Sequence, residues 1–553
     1  MRLKTAIKTL VGVAAAFGFA VFMLWVMSGF GNRQSRIKDV TSKGILLLSN
    51  GTEPEDLDPH LVTGVPEHNI ISALIEGLVS EDPKDLHPIP GIAERWEISE
   101  DGKKYTFFLR PDALWSNGEP VTAHDFHKSF ERMLTPSMGS EYAYMLYSMK
   151  NAEAFNTSKI KDFSKVGSRV VDQRVLEITL ENATPYFLSL INHYTWYPVH
   201  IPTVEKHGPI SQRGNKWTKP GNFVGNGPFK LKEWRLNDVV IVEKNPTYWD
   251  ADSVKLNEIH FYAIDQANTE ERSFRAGQLH NIYTMPLGKI DRYKRDYPDL
   301  IKIEPYAGTY FYRINVTKPP TNNPLVRRAL AMAIDREAIV KSVTRGGQLA
   351  GNFFTPPGTG GYTSRAHIPS NVEKARNLLA EAGYPNGENF PKLEILYNTQ
   401  EGHRRIAEAI QEMWKKSLNI DITLVNQEWK VFLAAQRQID YQICRAGWIG
   451  DYVDPNTFLD MWTSWSQQNQ TGWSSEEYDG LIREASRTQN MKARLELFQE
   501  AEAILMDEVP IIPIYIYTRV YALHPSVKGW FANILDHHPY KSIWLDPGEF
   551  MQK

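Results

Sequence analysis

Leu393-Glu-Ile-Leu396 opens a stretch that continues through Ile406, Ala409, Ile410, Met413 and Trp414 and closes on Ile420, Ile422 and Leu424. The first four residues read as a buried strand. The middle five recur at the spacing that gathers them on one helical face, and the last three alternate as a half-buried strand does. Two strands joined through such a helix pair in parallel, with a right-handed crossover. This stretch places the chain among the α/β folds.

Outward from that unit, helices and strands keep alternating. Asn323-Pro324 caps and starts a helix whose Val326, Ala329, Leu330, Ala333 and Ile334 share a face. Ser370-Asn-Val-Glu373 has capping-box spacing, with a stop at Gly383 and Pro385 beyond it. Nearer the N-terminus, Ile45-Leu-Leu-Leu48, Tyr105-Thr-Phe-Phe-Leu-Arg110 and Val239-Val-Ile-Val-Glu243 read as strands, and Thr122-Ala-His-Asp125 as a helix start. At 553 residues the chain exceeds what one core organises, so at least two lobes are expected.

Downstream of the strand-helix-strand unit lies Arg445-Ala-Gly-Trp-Ile-Gly-Asp-Tyr-Val-Asp-Pro455. It sets the Asp451 carboxylate beside an indole and two glycines. A carboxylate offers charge-assisted hydrogen bonds to an amine, the indole excludes water, and glycine lets main chain approach closely. The same residues are good turn formers. The fragment alone leaves turn and ligand site both open.

Aromatic residues make up 12% of the chain, enough to fill cores and also to wall a large ligand-enclosing cavity. A net charge of -3 with no basic run gives no footing for nucleic acid. Cys444 is the sole cysteine, which excludes an intramolecular disulfide. No metal-ligand spacing, phosphate loop or nucleophile elbow is found, so neither a metal nor another cofactor is implied. Asp536-His537-His538-Pro539 reads as a solvated turn. Binding is favoured over catalysis.

Arg2, Lys4 and Lys8 precede an uncharged, mostly apolar run over 9–31. It is long enough to span a bilayer, and no cleavage site or lipid-accepting Cys follows. An uncleaved signal-anchor helix is expected, with a cytoplasmic segment 1–8 and a linker 32–43; a cleaved export signal is the alternative.

Several separated segments resemble one family. Leu57-Asp-Pro-His60 with Gly64-Val-Pro-Glu67, Gly91-Ile-Ala-Glu-Arg-Trp96, Trp115-Ser-Asn-Gly-Glu-Pro-Val-Thr-Ala-His-Asp-Phe126, Gly225-Asn-Gly-Pro-Phe-Lys-Leu-Lys-Glu-Trp234 and Asn245-Pro-Thr-Tyr-Trp249 occur in its order. Together they resemble the solute-binding proteins of ABC peptide importers, family 5. Tyr397-Asn-Thr, Asn426-Gln-Glu-Trp429 and the Arg445–Pro455 stretch resemble the oligopeptide-binding branch.

The resemblance implies a two-lobed periplasmic-binding-protein fold of type II, similar to cluster C, with an extra domain. One lobe would combine 44–75, 200–307 and 519–553, the extra domain would be 76–199, and the other lobe 308–518. It implies a monomer that captures short peptides between closing lobes and delivers them to a permease and its ATPase, either tethered in the periplasm or exported. A membrane-tethered sensor, or a receptor for a non-peptide solute, is the alternative. By resemblance Asp451 takes the peptide ammonium, with Trp448, Gly447 and Ile449 around it. Tyr142, Val65 and Thr63 line the ligand from the opposite side, and Arg445 and His403 receive a carboxylate. Thr63 stands where the branch often has an acid, Gln436 where it has a basic residue, and Gly308 and Ile449 where some members carry a cysteine pair.

Overall fold

The structure is a computed structural model and describes residues 36–549. The expected membrane segment 9–31 lies outside the described residues, and no helix among those described is long and apolar enough to cross a membrane. Residues 36–42 of the expected linker are helical. Their Ile37 and Thr41 are buried, and Thr41 Oγ1 lies 3.1 Å from His280 Nε2.

The fold is α/β and two-lobed. The first lobe holds a four-stranded sheet in the order Ile45–Ser49, Glu258–Tyr262, Val239–Lys244, Phe229–Arg235. Its first pair is parallel and the rest antiparallel. Leu46, Leu47 and Leu48 are all buried, which is why this strand reads as an unbroken apolar run instead of an alternating one. A separate antiparallel sheet runs Ala93–Ile98, Lys104–Leu109, Val175–Thr179, Ser168–Asp172. Its Phe107, Leu176 and Ile178 share one core with Phe126 and Phe130 of the helix Ala123–Leu134. That helix starts as expected, with Asp125 Oδ2 accepting from the Thr122 backbone N–H at 2.7 Å.

The second lobe is built on a seven-stranded sheet in the order Asn281–Ile282, Ile511–Leu523, Ile301–Ile314, Ile443–Ile449, Leu393–Asn398, Ile422–Gln427, with Leu349–Ala350 beside Ile511–Leu523. Leu393–Asn398 and Ile422–Gln427 pair in parallel around the helix Glu401–Leu418, the unit read from sequence. Its buried face is His403, Ile406, Ala407, Ile410, Trp414 and Leu418, while Ala409 and Met413 are only half-buried.

Two members of this sheet are long. Ile301–Ile314 and Ile511–Leu523 pair antiparallel and run from one lobe into the other. At the first-lobe end Asn281 and Ile282 pair with Leu523 and Ala522, and the Ser49 N–H donates to Asn281 Oδ1 at 2.8 Å. The ladder shifts register between Pro305 and Thr309, where the proline cannot donate. Every residue of Ile301–Ile314 from Ala307 on is buried; before that, Ile301 apart, partly buried residues alternate with exposed ones. A second shift falls between Tyr310 and Phe311, so the crossing is a ladder interrupted at two nearby points.

Candidate functional site

The strand Ile443–Ile449 lies between the crossing strand Ile301–Ile314 and the strand-helix-strand unit, so its C-terminal end emerges at the junction of the lobes. Gly450 N–H donates to the Ala307 carbonyl at 2.8 Å, and Asp451 N–H to Thr457 Oγ1 at 2.9 Å. The next turn is locked by Asp454, whose carboxylate receives both Nη atoms of Arg494 at 2.7 and 2.8 Å in a buried pair. The two readings of this segment are therefore divided between its two aspartates. Asp454 makes the turn, and Asp451 faces a cavity.

That cavity, about 600 Å³ in volume, lies between the lobes. All nine residues expected at a site line it: Thr63, Val65, Tyr142, His403, Arg445, Gly447, Trp448, Ile449 and Asp451. Asp451 Oδ1 is 3.4 Å from His193 Nε2 and 3.5 Å from the Tyr142 hydroxyl, and Thr457 Oγ1 is 3.4 Å from its Oδ2. Among the described residues no Lys or Arg forms an ion pair with it. Burial, then the Asp451 charge, pushes the Tyr142 hydroxyl well above its ordinary pKa, so it stays a neutral donor. Trp448 Nε1 donates to the Thr457 carbonyl at 2.7 Å, fixing the indole beside the Tyr142 ring at 6.1 Å.

Arg445 is not the structural ion-pair partner that its type allows, since it makes no ion pair among the described residues. Its Nη2 donates to the Tyr517 hydroxyl at 2.8 Å, and its guanidinium lies 4.8 Å from the Tyr310 ring centre. His403 is buried near it. Burial first, and the Arg445 charge second, hold its imidazole neutral, well below the ordinary histidine range. One wall thus offers an uncompensated carboxylate and another an uncompensated guanidinium, with aromatic rings between.

The bacterial extracellular solute-binding proteins, family 5 (middle), match this sequence over residues 87–470. The chain belongs to that family. The dipeptide-binding protein DppE of Bacillus subtilis is 37% identical over 97% of this chain and 98% of its own length. The periplasmic oligopeptide-binding protein OppA of Salmonella typhimurium is 37% identical over 92% and 93%. The Escherichia coli murein tripeptide binding protein MppA superposes with a TM-score of 0.86 at 35% identity, covering 91% of this chain and 98% of that one. An unliganded open form of MppA, also 35% identical and covering 91% and 97%, gives only 0.61. This solute-binding protein is therefore far from that open arrangement.

Contacts between the lobes agree. Arg437 donates to Glu55 at 2.7 and 2.8 Å and to Glu141 at 2.6 Å. Asn268 Nδ2 donates to Glu401 Oε2 at 2.7 Å, and Tyr186 stacks on Tyr452 at 5.2 Å. The solute-binding protein is described with its cleft closed.

Several cavity residues had no sequence signal. His193, the base nearest Asp451, sits in an aromatic run with no motif of its own. Tyr517 lies on the second crossing strand, whose pattern reports only a strand. The Asp536–Pro539 segment corrects the sequence reading: it is not a solvated turn. Asp536, His537 and His538 are largely buried and paired, Asp536 with Arg519 and with His538 at 2.9 Å, and His537 with Glu81 at 2.8 Å. Burial lowers the His537 pKa, but the Glu81 carboxylate outweighs it, leaving that imidazole above its ordinary value. The Glu81 partner of His537 lies 456 positions away, beyond the reach of any local pattern. Gly308 and Ile449 are opposite each other in the ladder, and the Ile449 δ-methyl occupies the space a Cβ at 308 would take.

Proposed function

We propose that this protein is the extracytoplasmic substrate-binding component of an ABC transporter, capturing short peptides between its lobes and delivering them to the permease and ATPase. The observation that carries the reading is Asp451: a nearly buried carboxylate at the junction of the lobes, ringed by the Tyr142 and Thr457 hydroxyls and the His193 imidazole and without a permanent cation. A peptide ammonium completes it. Arg445 and neutral His403 suit the far carboxylate, and Val65 and Thr63 face the ligand across the cleft. DppE, OppA and MppA, whose names specify peptides, support the peptide class. The role is binding, not catalysis, and the working unit is a monomer.

We further propose that the lobes comprise 44–75 with 200–307 and 519–553, and 308–518, with 76–199 as the extra domain. Export with retention through 9–31 follows the charge and apolar pattern of the N-terminus. Intact mass of the membrane-fraction protein tests it, since a cleaved product refutes the anchor.

Calorimetry with peptides of two to five residues, free and N-acetylated, tests the central reading. Free-amine peptides should bind, and acetylation or Asp451→Asn should each cost a hundredfold or more, equivalent to roughly 3 kcal/mol for losing a desolvated charge pair. Equal affinity for free and acetylated peptides would refute the ammonium site.

A further inference from the structure

Residues 36–43, Arg-Ile-Lys-Asp-Val-Thr-Ser-Lys, carry three cations and one carboxylate in a chain whose net charge is -3. The helix over 36–42 is docked on the first lobe, with Ile37 and Thr41 turned inward and Arg36, Lys38 and Lys43 exposed. The Asn257 amide donates to the Lys43 carbonyl at 2.8 Å and holds its end. Helix and following strand run in opposite directions. Thr41 meets His280, whose N–H donates to the Leu47 carbonyl, while Arg36 hydrogen-bonds the side chain of Tyr262, the residue opposite Ser49. Arg36 is therefore at the end of the strand Ile45–Ser49 that opens on the cleft, where Asn50, Ala263 and Asp265 line the cavity.

The same corner carries the turn from Arg235 to Asp238. The Ala263 N–H donates to the Asp238 carbonyl at 3.0 Å, and Arg235 lies within electrostatic reach of Tyr262. At the tip Leu236 is 68% exposed, more than any other large apolar side chain among the described residues. A lone exposed leucine means little by itself. This one stands close to the exposed cations at the point where the chain leaves toward the apolar run 9–31. Fully extended, the step from Gly31 to Arg36 reaches at most about 18 Å, of which the polar headgroup layer takes about 5–8 Å. A lobe retained through 9–31 thus keeps this corner within the distance over which cations feel an anionic surface.

We propose that this corner of the first lobe, formed by Arg36, Lys38 and the Leu236 turn, is a contact surface for anionic phospholipid that holds one lip of the cleft against the membrane. The proposal rests on the anchor reading above and adds to it the face that the tether presents. The cations meet lipid phosphates, and Leu236 enters the headgroup layer.

The test uses the full chain in phosphatidylcholine vesicles containing a quarter phosphatidylglycerol, washed at high pH so that only anchored protein stays. A fluorophore on Leu236→Cys is compared with one on Val171→Cys, an exposed position on the strand Ser168–Asp172; native Cys444 is buried and does not label. A lipid with a nitroxide headgroup is the quencher. Quenching should be about threefold greater at 236 than at 171, and the double variant Arg36→Gln/Lys38→Gln, or pure phosphatidylcholine, should each bring that ratio close to one. Loss of the protein in the wash overturns the anchor reading and the contact with it. Retained protein with equal quenching at the two positions refutes the contact and leaves the anchor standing. A ratio unchanged in the double variant or in pure phosphatidylcholine refutes recognition of anionic lipid by these cations.

Discussion

Asp454 shows how one residue can position another that it does not touch. Its bidentate pair with Arg494 is nearly dry, with side chains 7% and 1% exposed, and it pins the turn from which Asp451 reaches the cleft. Asp454→Asn would leave a buried guanidinium without its counter-charge, so urea unfolding should show a loss on the order of 3–5 kcal/mol. The double variant Asp454→Asn/Arg494→Met should recover part of it, because removing both partners costs less than stranding one. An unchanged midpoint for Asp454→Asn would refute the account. At this scale the sequence reading reached Asp451, Trp448 and Tyr142 through local composition and family resemblance. It could not reach His193, Tyr517 or the buried Asp536–His538 network. Their significance depends on which distant residue each one meets, and no spacing rule records that.

Elements were more legible than sites. The strand-helix-strand unit and the capped helix Pro324–Met332 appear where their periodicity puts them, with Asn323 accepting from the Leu325 N–H at 2.9 Å. The capping box at Ser370 is displaced by one residue. Asn371 is the cap, accepting from Lys374 N–H at 2.9 Å, while the Ser370 hydroxyl donates to the Ile334 carbonyl at 2.7 Å. Two acceptable caps in succession compete, and a tertiary partner for Ser370 decides. The crossing strands were not legible as such, because a ladder that joins two lobes has no local signature. Their packing makes a sharp prediction at Gly308. An added Cβ would lie 2.4 Å from Ile449 Cδ1 and 2.9 Å from the Trp448 carbonyl oxygen. Gly308→Ala should destabilise by about 1–3 kcal/mol and weaken ligand binding, since the displaced strand carries the cleft wall. Adding Ile449→Ala should relieve the first clash but not the second, giving partial recovery in thermal melts; full recovery would show that the backbone clash is unimportant.

At the scale of the molecule, closure is held by few polar ties, of which Arg437 to Glu55 and Glu141 is the most connected. A ligand that binds only the closed state has its apparent affinity scaled by the closed fraction. Arg437→Gln should therefore raise the small-angle scattering radius of the ligand-free protein and weaken every peptide by a common factor of about three to tenfold, the scale of part-buried ion pairs. A loss confined to particular peptides would contradict a purely conformational role. The register shift after Pro305, where one ladder serves both lobes, is the natural hinge for that motion. The path of the chain has a separate consequence for synthesis. His537 pairs with Glu81, 456 positions earlier, and Lys541 with Glu76, 465 positions earlier. A nascent chain on the ribosome cannot form these pairs until residues 537–541 have left the exit tunnel. Glu76 and Glu81, although made early, stay without these partners until then, and translation leaves their edge available to chaperones or a translocase.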